Sequence, residues 1–271
     1  MRRIALLLFC LFCLLQVQAQ LATIPPEGPR AQGMGGVAVI SSDPWAVLNN
    51  PAGLATLDEL SFFANYRTIF DFAPFNTVSA GAIIPTDFGT AGVGIFRFGD
   101  ELFNSQMISL SIAKKIGIMQ LGIEANYLQM NIEGFGSKGL FMAGIGGIAE
   151  LTPELSFGAH IYNFTQTAIS QDTGERLPTI IRLGLAYQPT TQFSLFIEGE
   201  KDVELDPDLK LGLEYQVIEE VFVRTGFSGL NNTHSFGGGV NLKKLQVNYG
   251  VQIDRDLGSS HHFGISFFPK R

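Results

Sequence analysis

Cysteine is nearly absent from this sequence of 271 residues: it has only Cys10 and Cys13, both close to the N-terminus. They fall inside a segment with the form of a secretory signal peptide, with two arginines after the first methionine and an apolar run over Ile4–Leu15. The run is shorter than the roughly 20 residues of a membrane-spanning helix, which argues against the alternative of an N-terminal anchor. We therefore expect residues 1–19 to be removed, leaving a mature chain that begins at Gln20 and has no disulfide and no cysteine-based metal site.

Charged residues and long apolar runs are also scarce. Charged residues make up 16% of the chain, against roughly 25% in soluble domains, while hydrophobic residues make up 46%. Outside the predicted signal peptide, no apolar run approaches the roughly 20 residues that a transmembrane helix requires. An apolar chain without such runs is typical of strands that expose only one face to lipid.

Basic clusters are missing as well. Cleavage of the predicted signal peptide would remove two of the 18 basic residues. The mature chain would then have 16 basic and 25 acidic residues, a net charge of −9. An acidic chain without a basic patch binds the phosphate backbone poorly, and we expect no nucleic-acid partner.

No catalytic or cofactor motif stands out. The glycine-rich runs Gly144–Gly147 and Gly237–Gly239 precede no helix, so they do not form a phosphate-binding loop. The acidic stretch Asp202–Asp208 lacks the glycine turn of a calcium loop. His262 and Ser266 could suggest a serine hydrolase, but no third residue is placed to orient the imidazole. We therefore expect no enzymatic activity, no cofactor and no metal site.

Alternation of apolar and polar residues dominates the chain from Leu60 to Phe268. In Leu209–Val217 every second residue is apolar or aromatic, and the residues between are polar or glycine, so a strand here has one oily face. Fourteen such strands predict an all-β fold, a transmembrane antiparallel barrel over residues 59–271, since strand numbers in these barrels are even. The predicted strands are approximately Leu60–Arg67, Thr77–Ile84, Gly89–Phe98, Gln106–Lys114, Ile118–Met130, Gly139–Leu151, Leu155–Asn163, Thr179–Gln188, Gln192–Glu200, Leu209–Val217, Val221–Ser228, Thr233–Leu242, Leu245–Ile253 and His261–Phe268.

The lengths of the connections give independent support for this count. Every second predicted connection is very short, as at Lys115–Gly117 and Lys243–Lys244, and most of the others are longer, as at Thr68–Asn76 and Phe164–Pro178. Short periplasmic turns and longer outer loops are typical of transmembrane barrels. A secreted β-sandwich is the alternative, but its outer faces would have to be polar, whereas one oily face continues through the predicted strands.

The opposite faces of these strands carry charges and glycines. A charge facing lipid would cost about 2–4 kcal/mol for arginine or lysine at the midplane, so we expect the charged side chains to point into the lumen. They form either an internal ion-pair network or a polar pore lining. The predicted lumen-facing charges are Glu124, Arg182, Glu198, Glu200, Lys210, Glu214 and Arg224. The glycines on the same face, which suggest close approach of another backbone, are Gly122, Gly158, Gly184, Gly212, Gly226, Gly250 and Gly264.

Residues 20–58 precede the first predicted strand and show little alternation. A barrel of fourteen strands is wider than side chains alone can fill, so we expect this N-terminal segment to plug the lumen. Its glycines allow close approach to the wall, its prolines fix the path of the chain, and its asparagines can satisfy irregular backbone. A disordered periplasmic tail is the alternative, but the segment has many apolar residues. The predicted plug residues are Gly33, Gly35, Gly36, Trp45, Asn49, Asn50, Pro51 and Ala52.

Several segments of the mature chain carry a family resemblance. They are Gly28–Val39, Ser42–Ala46, Asn49–Leu54, Leu211–Tyr215, Val223–Phe227 and His262–Phe268. Together they resemble the FadL-like PorV/PorQ family of outer-membrane proteins. The resemblance implies a fourteen-stranded outer-membrane barrel with an N-terminal hatch that includes Asn50–Ala52. It also implies a choice of functions, because FadL passes long-chain fatty acids, whereas PorV and PorQ act in the type IX secretion system of Bacteroidetes.

The pattern and the resemblance together lead to three functional hypotheses. We expect a multi-pass protein of the cell outer membrane of a Gram-negative bacterium, in contact with outer-membrane lipids. The first hypothesis is a passive channel for a small hydrophobic molecule. The second is an accessory barrel of the type IX secretion system, which would bind secretion-system proteins in protein secretion or surface attachment. A structural barrel without transport is the third.

Overall fold

A computed structural model describes residues 23–270 except 171, 173 and 231. The predicted signal peptide at 1–19, and the start of the predicted plug at 20–58, lie outside the described residues. Within the described part of the chain, no helix is long and apolar enough to cross a membrane.

Fourteen antiparallel strands close into one barrel, in which each strand pairs with its neighbours in sequence and β14 pairs with β1. The predicted strand count and the all-β antiparallel barrel are therefore confirmed. The strands are β1 Ser61–Ile69, β2 Phe72–Thr86, β3 Gly89–Gly99, β4 Phe103–Ile116, β5 Met119–Ile132, β6 Gly136–Glu150, β7 Leu155–Tyr162, β8 Ile180–Tyr187, β9 Phe193–Asp202, β10 Asp208–Ile218, β11 Val221–Ser228, β12 Thr233–Asn241, β13 Leu245–Asp254 and β14 Gly258–Phe267. We call the end where β1 begins and β14 ends the proximal end, and the opposite end the distal end.

The two faces of the wall reverse the pattern of a soluble protein. In β8, Leu183 is 50% exposed on the outer face, whereas the neighbouring Arg182 is only 4% exposed on the inner face. Leucine and isoleucine stand outward in this way on strand after strand, as at Ile108 and Leu110 of β4. An apolar outer face around a closed barrel matches lipid and leaves no free sheet edge.

One predicted loop is wrong. The stretch Thr68–Asn76 is mostly strand, because Ile69 already pairs with Phe72 and only two residues turn the chain. Those residues, Phe70 and Asp71, both have positive φ values, at 55° and 52°. This is the geometry of a two-residue type I′ hairpin turn, which usually contains Asn-Gly or Asp-Gly. Phe-Asp gives no such signal, so the turn could not be read from the sequence.

The predicted alternation of connection lengths is also wrong in the first half of the barrel. The distal connections at 100–102 and 133–135 are as short as the proximal ones, because the strands on either side extend further than predicted. Between the strands that the structure describes, the distal connection at 163–179 remains long, whereas the distal connection at 203–207 has as many residues as the proximal one at 188–192. Strands β2, β4, β5 and β6 have 14 or 15 residues, while β7–β14 have 8 to 11, so the wall is taller on the β2–β6 side.

Candidate functional site

The N-terminal segment, residues 23–57, lies inside the barrel and runs along its length. The carbonyl of Thr23 accepts a hydrogen bond from the Tyr162 hydroxyl near the distal end. The carbonyl of Leu57 accepts one from the Thr90 hydroxyl near the proximal end. Between these points the chain forms a short helix, α1, at Pro29–Gln32 against β12–β14. Its two 3₁₀ helices pack mainly against β1–β6.

Side-chain caps explain where the two 3₁₀ helices begin. The Asp43 carboxylate accepts a hydrogen bond from the Trp45 backbone N–H ahead of the helix Pro44–Leu48. The Asn50 side-chain oxygen accepts one from the Ala52 N–H ahead of the helix Pro51–Thr56. Asp and Asn are favoured at this position, and proline fits the first helical residue because its missing N–H would be unpaired there.

Glycines of the wall make room for the segment. A Cβ atom added at Gly122 would lie 2.5 Å from the Ala52 nitrogen, and one at Gly250 would lie 2.5 Å from the Pro29 oxygen. Such distances leave no space for any side chain, so the wall and the segment are built for contact. Eleven inward glycines, which we call the glycine belt, meet the segment in this way: Gly92, Gly94, Gly122, Gly146, Gly158, Gly184, Gly212, Gly226, Gly237, Gly250 and Gly264.

The belt continues from strand to strand. Its members lie directly opposite one another in four cross-strand pairs: Gly122 with Gly146, Gly158 with Gly184, Gly212 with Gly226, and Gly237 with Gly250. The belt includes all seven glycines that alternation had placed on the inner face. The other four, Gly92, Gly94, Gly146 and Gly237, were missed, and Gly146 lies on β6, which alternates weakly.

The glycines of the segment, which the sequence had singled out, lie on the wall at β10–β12. Gly33 packs directly on Gly237, and a Cβ at Gly35 would lie 2.8 Å from the Phe227 nitrogen. Gly36 adjoins the Lys210 side chain. Gly35 and Gly36 have φ values of 74° and 83°, which only glycine adopts at little cost.

The other predicted plug residues lie in the second half of the segment. Trp45 packs on the Phe63 ring of β1, with 4.3 Å between ring centroids. The Asn49 amide donates to the Trp45 carbonyl at 2.9 Å, and the Asn50 amide donates to the Val39 carbonyl at 2.6 Å. Pro51 and Ala52 lie against Gly122 of the belt. These asparagines therefore satisfy the irregular backbone of the segment itself.

The seven predicted lumen-facing charges all point inward, and six of them form ion pairs. Glu200 accepts from Arg182 at 2.6 Å and from Lys210 at 2.9 Å, and Glu198 lies within 4.0 Å of both cations. Arg224 pairs with Glu214 on the neighbouring strand. Glu124 stands apart, with its Oε1 atom 3.4 Å from Nε2 of His160.

Two members of this network bind the segment. The Glu214 carboxylate accepts two hydrogen bonds from the Arg30 guanidinium, at 2.8 and 2.9 Å. The Glu198 carboxylate accepts from the backbone N–H groups of Ala38 and Val39, both at 2.8 Å. Charge-assisted bonds of this kind are stronger than neutral ones. Sequence reasoning missed Arg30 and Ala38, because their partners lie 184 and 160 residues further along the chain.

Burial and charge act in opposite directions on the Arg30–Asp43 ion pair of the segment. Burial lowers the pKa of the Arg30 guanidinium, but Glu214 and Asp43 raise it by more, so Arg30 stays charged. Burial raises the pKa of Asp43 above its usual range, and the opposing effects of Arg30 and the Trp45 N–H do not cancel this.

The inner wall therefore has two chemically different sides. The apolar side is formed by buried residues of β3–β6, which share one cluster with Trp45, Val47 and Leu48 of the segment. Its members are Phe96, Phe98, Met107, Leu128, Leu140 and Met142. The charged side is formed by residues of β8–β11, namely Arg182, Glu198, Glu200, Lys210, Glu214 and Arg224.

A cavity of about 1000 Å³ lies at the proximal end, between the segment and the wall. Arg30, Asp43 and Leu57 of the segment line it, together with Ile148 and Phe196 of the wall. The segment therefore separates this proximal space from the apolar cluster in the distal half of the lumen.

Two of the weaker sequence candidates make structural contacts. His262 is buried, contacts the Asn65 amide and packs edge-on against Trp45 instead of activating Ser266. In the acidic stretch, Asp208 accepts hydrogen bonds from Ser228 and from the Leu230 N–H. Within the described residues, no group of three or more His, Cys, Asp or Glu side chains is placed to hold a metal ion.

Comparisons with known proteins give a fold but no sequence family. No protein-family model and no curated protein matches this sequence. The barrel is similar to a solved structure of the CymD monoaromatic hydrocarbon channel, with a TM-score of 0.63 and 13% identity over 90% of this chain and 97% of that one.

Two further structures give the same result. A FadL homologue from Pseudomonas aeruginosa has a TM-score of 0.64 and 13% identity over 90% of this chain and 98% of its own. The toluene transporter TodX of P. putida has a TM-score of 0.62 and 14% identity over 88% of this chain and 96% of its own. At these identities the likeness establishes a FadL-like barrel fold.

Proposed function

We propose that this chain is an outer-membrane barrel that passively conducts a small hydrophobic solute and that its N-terminal segment plugs the lumen at rest. The observation that carries the proposal is the segment itself, which occupies the lumen lengthwise and is held by non-covalent contacts alone. A lumen filled by a piece of the same chain that no covalent bond fixes to the wall is suited to controlled passage.

The chemistry of the lumen supports a hydrophobic solute. The apolar side offers a continuous lining of Phe, Met and Leu side chains, while the cations of the charged side are already paired with carboxylates. A channel for ions would leave such charges facing water. The similar structures bear the names of hydrocarbon and toluene channels, which agrees with this assignment.

The proposed location is the outer membrane, with outer-membrane lipids around the apolar outer face. Signal peptide cleavage before Gln20 belongs to the same proposal. Cell fractionation and N-terminal sequencing test both points. The mature protein should run differently on a detergent gel before and after boiling, as folded barrels do; a soluble periplasmic product without this shift would contradict the assignment.

Deleting residues 31–52 tests the plug directly. We expect single-channel conductance in planar bilayers to rise from near zero to a stable open level, because the segment would no longer fill the lumen. The matched control replaces residues 203–207, the connection between β9 and β10, with a glycine–serine loop and should stay closed. A folded deletion variant with unchanged conductance would show that the segment does not close the pore.

Uptake by cells tests the transport part. A strain without this gene should accumulate a hydrophobic solute such as butylbenzene more slowly, and the wild-type gene should restore the rate. Equal rates with and without the gene would contradict a channel function.

The alternative, an accessory barrel of the type IX secretion system like PorV or PorQ, needs a docking surface for secretion-system proteins. The distal connections at 70–71, 100–102 and 133–135 are very short and offer little surface for one. Co-purification of secretion-system proteins with the tagged barrel, without any effect of the gene on solute uptake, would favour this alternative.

A further inference from the structure

Most charged side chains of the lumen have hydrogen-bond partners, but one group of polar side chains on β5 and β7 has polar atoms without them. Glu124 and Asn126 of β5 and His160 of β7 are 4%, 2% and 1% exposed. Within the described residues, Glu124 Oε1, both polar atoms of the Asn126 amide and both ring nitrogens of His160 lack a hydrogen-bond partner. Buried polar atoms without partners are rare in proteins and destabilising, so their presence in a group calls for a physical reason.

These three side chains share one region of the lumen. Glu124 Oε1 lies 3.4 Å from His160 Nε2, and Asn126 follows Glu124 by two residues and so points to the same face of β5. Met142 is directly opposite Asn126 in register, and Met107 and Leu128 form the next pair on the distal side; all three belong to the buried apolar cluster. Methionine is flexible and adapts its shape to a guest more readily than branched side chains do.

The hydrogen-bonding groups present define the chemistry of a guest. A glutamate oxygen can only accept a hydrogen bond when ionised, whereas an amide and an imidazole together can both donate and accept. A neutral hydroxyl group does both and would satisfy several of these atoms at once. A pure hydrocarbon would leave them unpaired.

An anionic guest fits less well. A carboxylate guest has only acceptor oxygens, which cannot hydrogen-bond to another carboxylate unless one of the two is protonated, and its charge would be buried among apolar side chains. Arg182, which is opposite His160 in register, is already bound to Glu200 at 2.6 Å. The site therefore favours a neutral polar group over an acid.

We propose that the solute is an apolar molecule with one neutral hydroxyl group, such as an alkylphenol or an alcohol. Its hydroxyl binds Glu124, Asn126 and His160, and its apolar body lies among Met107, Leu128 and Met142. This inference rests on the proposed channel function and narrows it to a substrate class.

Three probes of similar size test the inference: 4-butylphenol, butylbenzene and 4-butylbenzoate. Equilibrium dialysis against the full mature protein in lipid nanodiscs, with empty nanodiscs as the blank, gives the affinity for each. We expect 4-butylphenol to bind at least tenfold more tightly than either of the others. Equal or tighter binding of butylbenzene, or no binding of 4-butylphenol above the blank, would overturn the inference.

Two variants separate recognition from structure. Asn126→Leu should weaken 4-butylphenol at least tenfold and leave butylbenzene within twofold, because only the hydroxyl loses a partner. Glu124→Gln keeps the size of the side chain and should strengthen 4-butylbenzoate at least fivefold. The control, Ser235→Ala, removes a buried hydroxyl without a partner on β12, away from this group, and should change none of the three affinities.

The outcomes also distinguish this inference from the channel proposal. If either folded variant changes all three affinities alike, the three residues are structural and the inference is wrong. If the gene promotes uptake of butylbenzene and 4-butylphenol equally, the channel function is supported and the preference for a hydroxyl-bearing solute is contradicted. If the gene promotes uptake of none of the probes, the channel proposal itself fails, whatever the binding results.

Discussion

The apolar and charged sides of the lumen hold the same segment by different means. On β3 of the apolar side, Val47 and Leu48 fit against Gly92 and Gly94 through side-chain contacts that a small shift can relieve, whereas on β5 the segment backbone at Ala52 touches Gly122. On the charged side, the backbone of the segment touches the wall at Gly226, and Arg30 is bound by directional ion pairs. Apolar contacts are non-directional, whereas charge-assisted hydrogen bonds fix one geometry. The charged side therefore sets the position of the segment, and the contacts with β3 on the apolar side are where it can yield.

The largest effect is expected on the charged side. Glu214→Leu would leave Arg30 and Arg224 buried without their shared carboxylate, and breaking a buried ion pair costs about 3–5 kcal/mol. The free energy of unfolding, measured by urea titration in lipid vesicles, should fall by that order. Glu219→Leu, an exposed position in the β10–β11 turn, is the matched control and should have little effect. If the two variants lose equal free energy of unfolding, the charged side does not position the segment.

Leu48→Ala tests the apolar side. Leu48 is buried against Gly94, and truncating a buried leucine costs about 2–5 kcal/mol, with the lower part of that range expected where neighbours can relax. The same urea titration measures the loss. A loss larger than that of Glu214→Leu would reverse the order of the two sides.

Two glycine-to-alanine variants compare the two sides by adding one methyl group to the wall on each. Gly226→Ala would place its Cβ against the backbone of Met34 and Gly35, which cannot rotate away, and should cost about 1–3 kcal/mol. Gly94→Ala meets the end of the Leu48 side chain at 2.7 Å, which can change rotamer, and should cost less than about 1 kcal/mol. Gly199→Ala faces outward and serves as the control. A larger loss of free energy of unfolding for Gly94→Ala than for Gly226→Ala would contradict this difference between the two sides.

The smallest effect is expected at Asp43. Because burial raises the pKa of Asp43, its contribution to stability is present below the unfolded pKa and is lost as the pH rises through the folded pKa. Asp43→Asn keeps an oxygen to cap the Trp45 N–H and should change stability by less than about 1 kcal/mol. It should also flatten the pH dependence of unfolding in the range above the ordinary pKa of an aspartate. A steeper pH dependence in the variant would contradict the direction of this shift.

Alternation predicted the wall well because each strand needs only its own residues to show which face is oily. It placed Gly226, Gly250 and Arg224 inward without any knowledge of their neighbours. It could not predict the turn at Phe70 and Asp71, because positive φ in such residues is imposed by the hairpin and not by their own preference.

Local sequence patterns could not predict the contacts between the segment and the wall, for a different reason. The bonds of Arg30 to Glu214 and of Ala38 to Glu198 depend on the register of the whole barrel, which no short pattern encodes. Glu124 shows the same limit, since alternation placed it inward but could not reveal that His160 is its only charged neighbour within 4.0 Å among the described residues.

A cross-link between the segment and the wall tests the central claim most directly. The predicted mature chain has no cysteine, and a Cβ at Gly184 would lie 2.6 Å from Val39 Cγ1, so Val39→Cys with Gly184→Cys places two sulfurs within reach of a disulfide. We predict that the pair links nearly completely in intact cells, that the oxidised barrel does not conduct, and that reduction restores solute uptake. The control pair, Val39→Cys with Gly199→Cys, should not link, because Gly199 faces outward. A folded double variant at Val39 and Gly184 that stays unlinked, or one that links and still conducts, would contradict the claim that this segment fills and closes the lumen.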